Sequence, residues 1–403
     1  MCDYRGSALA ALVAAGAMFG TAHAGQTTEQ LIEFMHENGS LTDAQYRQLK
    51  QAAEEEQAQA AEQPAAPGST AADWTSKIKL KGDLRLRHEY TDNDANLTDD
   101  GDQVDRNRQR IRFRLGAFAE LSDQLRVGGG LASGGDDPRS TNQTLDSNFS
   151  TKPIQLDYAF AEYAFNDWAK VIGGKFARKN YLWQPTDAFW DSDINPEGVS
   201  FNFAFDTGLG AAFANTGYWV LNEFSRNEDD PFMYYLQLGQ GFSSGSLFGT
   251  VAGTYYGYQN TDEPNTFEFS EGTNTDDEFD ALQLSAEIGT RVGATKLAFI
   301  GDYMVNTETD TSDDTGYGIG GKLGHGKWGF KYIYVDLDAN AVPDIFPDSD
   351  RFGGGTDIKG HEIAGEYALT DNVELGLDFY AVESKATGVD ENLLQADIVI
   401  AFP

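Results

Sequence analysis

At 403 residues the chain is long enough for two ordinary domains or for one large barrel, and a lone cysteine, Cys2, excludes a disulfide-stapled scaffold. Sixty-four acidic against 29 basic residues leave a formal charge of −35, which excludes nucleic acid as a partner because its phosphates would be repelled over most of the surface. After Gly25 there is no run of about 18 apolar residues, so no transmembrane helix is available; a barrel strand escapes that test, since only its alternate residues meet lipid.

In chain order, the stretch SALAALVAAGAMFGTAHA follows Arg5 and ends in Ala22-His23-Ala24, which predicts a secretory signal peptide over 1–24, cut before Gly25. Cys2 leaves with it and sits too early to be a lipoprotein acceptor. Residues 25–62 are rich in Ala, Glu and Gln and set Leu31, Ile32, Phe34, Met35 and then Leu41, Tyr46, Leu49 at helical spacing. Asn38-Gly39 suits the stop of a first helix, and Thr42-Asp43-Ala44-Gln45 is a capping-box start for a second. Residues 63–75, with QPAAPGSTAA, predict a flexible or extended linker, leaving 25–62 as a periplasmic helical hairpin.

From 76 to 403 the text is strand, turn, strand. SKIKLKGDLRLRHEY sets Lys77, Lys79, Lys81, Arg85 and Arg87 against Ile78, Leu80, Leu84 and Leu86. DRNRQRIRFRLGAFAEL sets Arg106, Arg108, Arg110, Arg112 and Arg114 against Ile111, Phe113 and Leu115, so ten of the 29 basic residues lie on two strand faces. Such strands need water on one side and oil on the other. Downstream, Leu282, Leu284, Ala286 and Ile288 oppose Gln283, Ser285 and Glu287. Val373, Leu375, Leu377 and Phe379 oppose Glu374, Asp378 and Tyr380, and the last strand sets Leu394, Ala396, Ile398, Ile400 and Phe402 against Gln395, Asp397 and Val399. Tyr90, Tyr158, Phe160, Tyr332, Tyr334 and Phe379 lie on or near strand ends, as an interfacial belt requires.

Long and short connections alternate. The long ones run over 91–104, 135–153, 180–197, 225–231, 260–280, 307–315, 338–356 and 384–391; tight turns fall at 122–123, 166–167, 207–208, 243–245, 291–294, 325–327 and 371–372. Eight long and seven short connections join sixteen strands, and an even count with one rim of loops and one of turns predicts a transmembrane antiparallel β-barrel. Closure also removes exposed strand edges. A soluble all-β protein, whose half-buried strands alternate too, is the plainer alternative.

The basic first hairpin, Gly174-Lys175-Phe176, the segment DSDINPEGVSF over 191–201 and the near-terminal Phe402 follow one another as they do in Gram-negative outer-membrane porins. From 76 to 403 the chain resembles that family, of the sixteen-stranded general-diffusion kind and closest to its putative porin branch, in which a short helical segment precedes the barrel. The resemblance implies a location in the cell outer membrane, passive passage of small hydrophilic solutes, and a homotrimer. In the family the terminal aromatic belongs to the signal read by the assembly machinery; here Pro403 follows it.

The resemblance also implies that NYLWQPTDAFWDSDINPEG, the third long connection, folds into the barrel and narrows it. Its Trp183, Phe189 and Trp190 are unusual in an exposed loop. Asp187, Asp191, Asp193 and Glu197 would then face the pore, opposite a basic wall of Lys81, Arg85, Arg87, Arg108, Arg110, Arg112 and Arg114. Acids against guanidinium groups in a constriction create a transverse field that favours small polar solutes, and arginine suits carboxylate or phosphate groups by bidentate contact. The alternative role for these arginines is neutralisation of Asp83, Glu89 and Glu120.

No cofactor or metal is expected. Asp92-Asn93-Asp94-Ala95-Asn96 begins like a calcium loop, but Leu97 stands where the sharp-turn glycine belongs and Gln103 where the bidentate acid belongs. The acidic outer loops read as a solvated face, bridged loosely by divalent ions to lipopolysaccharide. An enzyme is not expected: of His36, His88, His325 and His361 none stands with a nucleophile motif. The rival function is an outer-membrane anchor or adhesin, with residues 27–60 contacting the periplasm or peptidoglycan.

Overall fold

A computed structural model describes residues 46, 50, 77–94, 104–224, 229–262 and 266–402. Tyr46 and Lys50 are helical, with the Lys50 ammonium 5.7 Å from the Tyr46 ring centre. The expected signal peptide and most of the expected linker and hairpin lie outside the described residues.

The remainder is strand. In chain order these are β1 (Ile78–Asn93), β2 (Arg106–Glu120), β3 (Leu125–Ser133), the two-residue β4 (Gln143–Thr144), β5 (Ile154–Asn166), β6 (Ala169–Lys175), β7 (Glu197–Thr207), β8 (Gly210–Val220) and β9 (Phe232–Ser244). They continue as β10 (Leu247–Gln259), β11 (Asp280–Val292), β12 (Thr295–Asn306), β13 (Thr315–His325), β14 (Trp328–Leu337), β15 (Ile358–Ala368), β16 (Val373–Ser384) and β17 (Asp390–Phe402). Sequential strands pair antiparallel, β3 pairs β5 directly, and β1 pairs both β2 and β17, which closes a sixteen-stranded ring. The small β4 belongs to the second long connection and caps Arg110 and Ile111 of β2.

At the seam Gly82 stands opposite Phe402 in register, and Arg87 opposite Asp397. A Cβ on Gly82 would sit 2.3 Å from the Arg114 carbonyl oxygen and 2.4 Å from the Phe402 ring, so only glycine lets the last aromatic lie across the closure. Phe402 then stacks on Phe113 of β2, ring centres 6.1 Å apart.

The two strand faces are inverted relative to a water-soluble protein. In β11, Leu282 and Leu284 are 52% and 63% exposed while Gln283 and Ser285 are 3% and 0%. Leu86, Phe113, Leu236, Leu238, Phe299, Ile319, Phe330, Ile363, Leu377 and Ile398 are exposed in the same way. An apolar outer face of this extent is stable against lipid rather than water, which rules out the soluble reading. Near the tight turns, Trp168 stacks on Phe205 at 5.7 Å and Trp328 packs on Tyr367 at 4.5 Å, the amphipathic girdle expected at a membrane interface.

The apolar core lies on the opposite face. Tyr235, Tyr256, Ile300, Met304, Ile333 and Val335 of the strands pack with Phe176, Tyr181, Leu182, Phe189, Trp190 and Phe346 from two long loops.

Candidate functional site

The first of those loops spans 176–196. Alternation predicts that its preceding strand runs to Lys179, but β6 stops at Lys175. Gly174 explains the early exit: its φ is +118°, and a Cβ there would meet the Ala159 carbonyl oxygen at 2.2 Å. The chain leaves the ladder four residues early, and Arg178 and Lys179 become loop residues in a short 3₁₀ turn (Arg178–Asn180).

A buried loop must satisfy its own backbone, and here polar side chains of distant strands do so. The Gln237 amide brackets the backbone of one residue: its Oε1 accepts from the Trp183 N–H at 2.8 Å and its Nε2 donates to the Trp183 carbonyl at 2.9 Å. Asp302 accepts from the Thr186 N–H at 3.0 Å and hydroxyl at 2.6 Å. Tyr235 donates to the Tyr181 carbonyl at 2.7 Å, and Lys322 to that of Pro185 at 2.8 Å. All four side chains come from strands β9, β12 and β13, on the face opposite the exposed apolar band.

A second loop, 338–357, locks the first. Phe346 stacks on Trp190 with ring centres 4.2 Å apart and 16° between planes. The Asp191 N–H donates to the Phe346 carbonyl at 2.6 Å, and the Asp191 carboxylate accepts from the Ser349 N–H at 2.9 Å and the Asp193 N–H at 2.8 Å. Asn274 fastens the far side of this second loop through the Ala339 and Val342 carbonyls at 2.7 and 3.0 Å. Burial, with Asp193 beside it, pushes the Asp191 carboxyl up to about 7. Burial likewise pushes the Asp348 carboxyl well up, against the pull of Arg351.

The basic residues singled out in the sequence do come together, though mostly as ion pairs with acids of neighbouring strands. Arg112 and Arg114 hold Asp83 at 2.8 Å each, Arg108 and Arg110 hold Glu89, and Arg87 makes a bidentate pair with Asp397 at 2.7 and 2.8 Å. Arg85 donates to Asn142 at 2.6 Å and lies 3.7 Å from Asp397; Asp350 of the second loop reaches Arg87 at 3.5 Å. The expected partner Glu120 instead meets Arg126, at 3.8 Å. Lys81 is exposed and has no ion pair among the described residues.

The loop acids separate. Asp193 approaches Arg114 at 3.6 Å and accepts from the Thr141 hydroxyl at 3.3 Å. Asp187 sits at the other side, held by Arg351 at 2.5 Å and Lys331 at 3.3 Å. Burial raises its carboxyl, but the two cations outweigh burial and hold it below the usual carboxylate range. Glu197 opens β7, exposed and paired with Lys175 at 2.9 Å.

Asp187, Asp348 and Glu362 bring carboxylate oxygens within 4.8 Å of one another. Arg351 contacts all three and Lys331 contacts Asp187 and Glu362, so the charge a metal ion would bring is already supplied by side chains. Sequence reasoning placed a long connection over 338–356 but missed its packing against the first loop, and missed Lys331, Arg351 and Glu362. The signal was present, since AVPDIFP carries the same excess of apolar residues that marks the first loop.

Between the first loop and the wall formed by β1, β2 and β5 lies a cavity of about 660 Å³. Lys81, Asp83, Arg114, Asp157 and Tyr158 border it on the wall side, and Arg178, Lys179, Trp183, Asp187, Trp190 and Asp193 on the loop side. Of the residues predicted as a basic wall, Lys81 and Arg114 border this space; of the predicted acids, Asp187 and Asp193 do.

A closed sixteen-stranded ring with an apolar outer face, and long loops packed on the polar one, defines a porin-type outer-membrane barrel. The family model for putative porins matches residues 92–291 and 317–402, well over half the chain, and the protein belongs to that family. Among solved structures, OprB of Pseudomonas putida is similar at 12% identity and a TM-score of 0.57, covering 83% of this chain and 97% of that one. A Rhodopseudomonas blastica porin triple mutant matches at 11% identity and a TM-score of 0.47, covering 81% of this chain and 100% of its own. A search of curated proteins found no match.

Proposed function

We propose that the protein is a passive outer-membrane channel for small hydrophilic solutes, with loop 176–196 lying inside the barrel and narrowing it against the β1–β5 wall. The observation that carries this reading is the cavity between that loop and that wall, bordered by ionised groups of both signs. A polar, water-exposed passage through an otherwise apolar membrane lowers the barrier to solutes that lipid rejects. Asp193 and Asp187 on the loop, with Arg114 and Lys81 on the wall, would set up the transverse field; the remaining arginines of β1 and β2 mainly pair with buried carboxylates and hold the wall rigid. No catalytic step or cofactor is invoked.

In the same proposal the chain is exported on residues 1–24, meets lipopolysaccharide through its acidic outer loops, and contacts the periplasm or peptidoglycan through residues 27–60; resemblance to the family adds a helical hairpin over 25–62 and a homotrimer. Liposome swelling tests the channel directly. Vesicles holding the purified protein should swell in pentoses and hexoses and progressively less in di- and trisaccharides. Equal swelling with and without the protein would overturn the reading.

A further inference from the structure

We propose that the cavity beside loop 176–196 is an anion subsite, selecting a small organic carboxylate with a planar apolar body; this deepens, and rests on, the channel reading. Four cations and four acids border the space, but they are not equivalent. Asp83 is held by Arg112 and Arg114, Asp187 by Arg351 and Lys331, Asp193 by Arg114 and Thr141, and Asp157 accepts from the Asn195 amide at 2.7 Å. Three of these acids are therefore paired with cations, and Asp157 is held by an amide alone.

Three of the cations form no ion pair among the described residues. Lys81 and Lys179 are exposed and form no ion pair among the described residues. Arg178 is 8% exposed, and it donates to the Gln184 amide oxygen at 2.6 Å and to the carbonyls of Trp190 and Asp191 at 3.3 and 3.1 Å. Its Nε has no hydrogen-bond partner, and no carboxylate lies within 4.0 Å of it among the described residues. Held by these oxygens and by the face of Trp190 at 5.2 Å, the guanidinium brings to the cavity a charge that no ion pair among the described residues cancels. The unmatched charge of the cavity is thus positive, although the chain as a whole carries −35.

The remaining border is aromatic and aliphatic: Tyr158, Leu182, Trp183 and Trp190. These surfaces suit the flat body of a solute whose carboxylate meets the lysines. Asp83, Asp157 and Asp193 at the same border disfavour a second negative charge, which sets a monoanionic carboxylate ahead of inorganic phosphate.

The test uses the full mature chain in planar bilayers under a potassium chloride gradient, with benzoate, acetate and phosphate added in turn. The native protein should prefer anions, and benzoate should block current at lower concentration than acetate or phosphate. The double variant Lys81→Gln/Lys179→Gln should move the reversal potential toward cations and weaken benzoate block about tenfold, the size of one lost charge-assisted hydrogen bond. Lys152→Gln, in an outer loop, should change neither. Both cavity lysines are exposed and unpaired, so the double variant should fold, and heat-modifiability on gels checks that it does. Block that survives in the double variant, or phosphate that blocks as strongly as benzoate, would overturn the subsite. Benzoate quenching of tryptophan emission from the detergent-folded protein gives a second readout: absence of conductance contradicts the channel, whereas quenching that the double variant leaves unchanged contradicts the subsite.

Discussion

Trp190 joins the two long loops. Its indole stacks on Phe346, meets Trp219 edge-on at 5.7 Å, and lies under the Arg178 guanidinium at 5.2 Å. Truncation to alanine removes these contacts together, and a buried Trp→Ala change costs about 3–5 kcal/mol where the site cannot collapse. That loss falls on loop docking rather than on the strand ladder. Trp190→Ala should therefore leave the barrel folded by circular dichroism while giving larger and noisier single-channel currents. Asp191 makes the same junction sensitive to pH. Its carboxyl is raised from the ordinary range near 4 to about 7, so the docked state binds the proton more tightly than the undocked one. Docking is then favoured most at low pH and loses that advantage as pH climbs from about 4 to about 7, above which it levels off. Current fluctuations should rise over that interval in the native protein. The rise should be smaller in Asp191→Asn, which keeps the shape of the acid and cannot ionise, with Asp348 of the second loop carrying the remainder.

At the scale of elements, the β1–β2 hairpin shows both what alternation can and cannot reveal. Its period of two assigns Arg108, Arg110 and Arg112 to one face and Phe113 to the other, and the structure has them so. What the pattern leaves open is the partner of each arginine, because Asp83 and Glu89 share a face with lysines and arginines and only the inter-strand register decides which meet. Glu89 is 1% exposed and held by Arg108 and Arg110, so replacing both arginines by Ser strands a buried carboxylate. Breaking a buried pair from one side costs about 3–5 kcal/mol, and the double variant should unfold at lower temperature on heat-modifiability gels. Adding Glu89→Gln should restore most of that loss; no recovery would contradict the assigned pairing. The loops were less legible than the strands for a related reason. Alternation carries no information about where a strand ends, and the exit at Gly174 depends on a positive φ that the sequence marks only by a glycine. Loop 338–357 has no period at all, and its role emerges only through Phe346, Ser349 and Asp350, whose contacts on Trp190, Asp191 and Arg87 are all remote in sequence.

For the whole molecule, the ring of sixteen strands is closed by β1 against β17, both of them within residues 78–402. Deleting residues 27–72 should accordingly leave a heat-modifiable barrel that still conducts; loss of the barrel would show that the preceding segment takes part in folding. The exposed apolar band was readable from the period of two, since lipid meets one face of every strand, while the even strand count and the turn rim were readable from the alternation of long and short connections. The central claim is that solution runs through this ring, past loop 176–196. Single-channel recording of the purified mature protein in planar bilayers tests it most directly. Discrete, long-lived steps that scale with salt concentration are the predicted result. A protein that shows the gel shift of a folded barrel and yet passes no current at any voltage or salt concentration would contradict it.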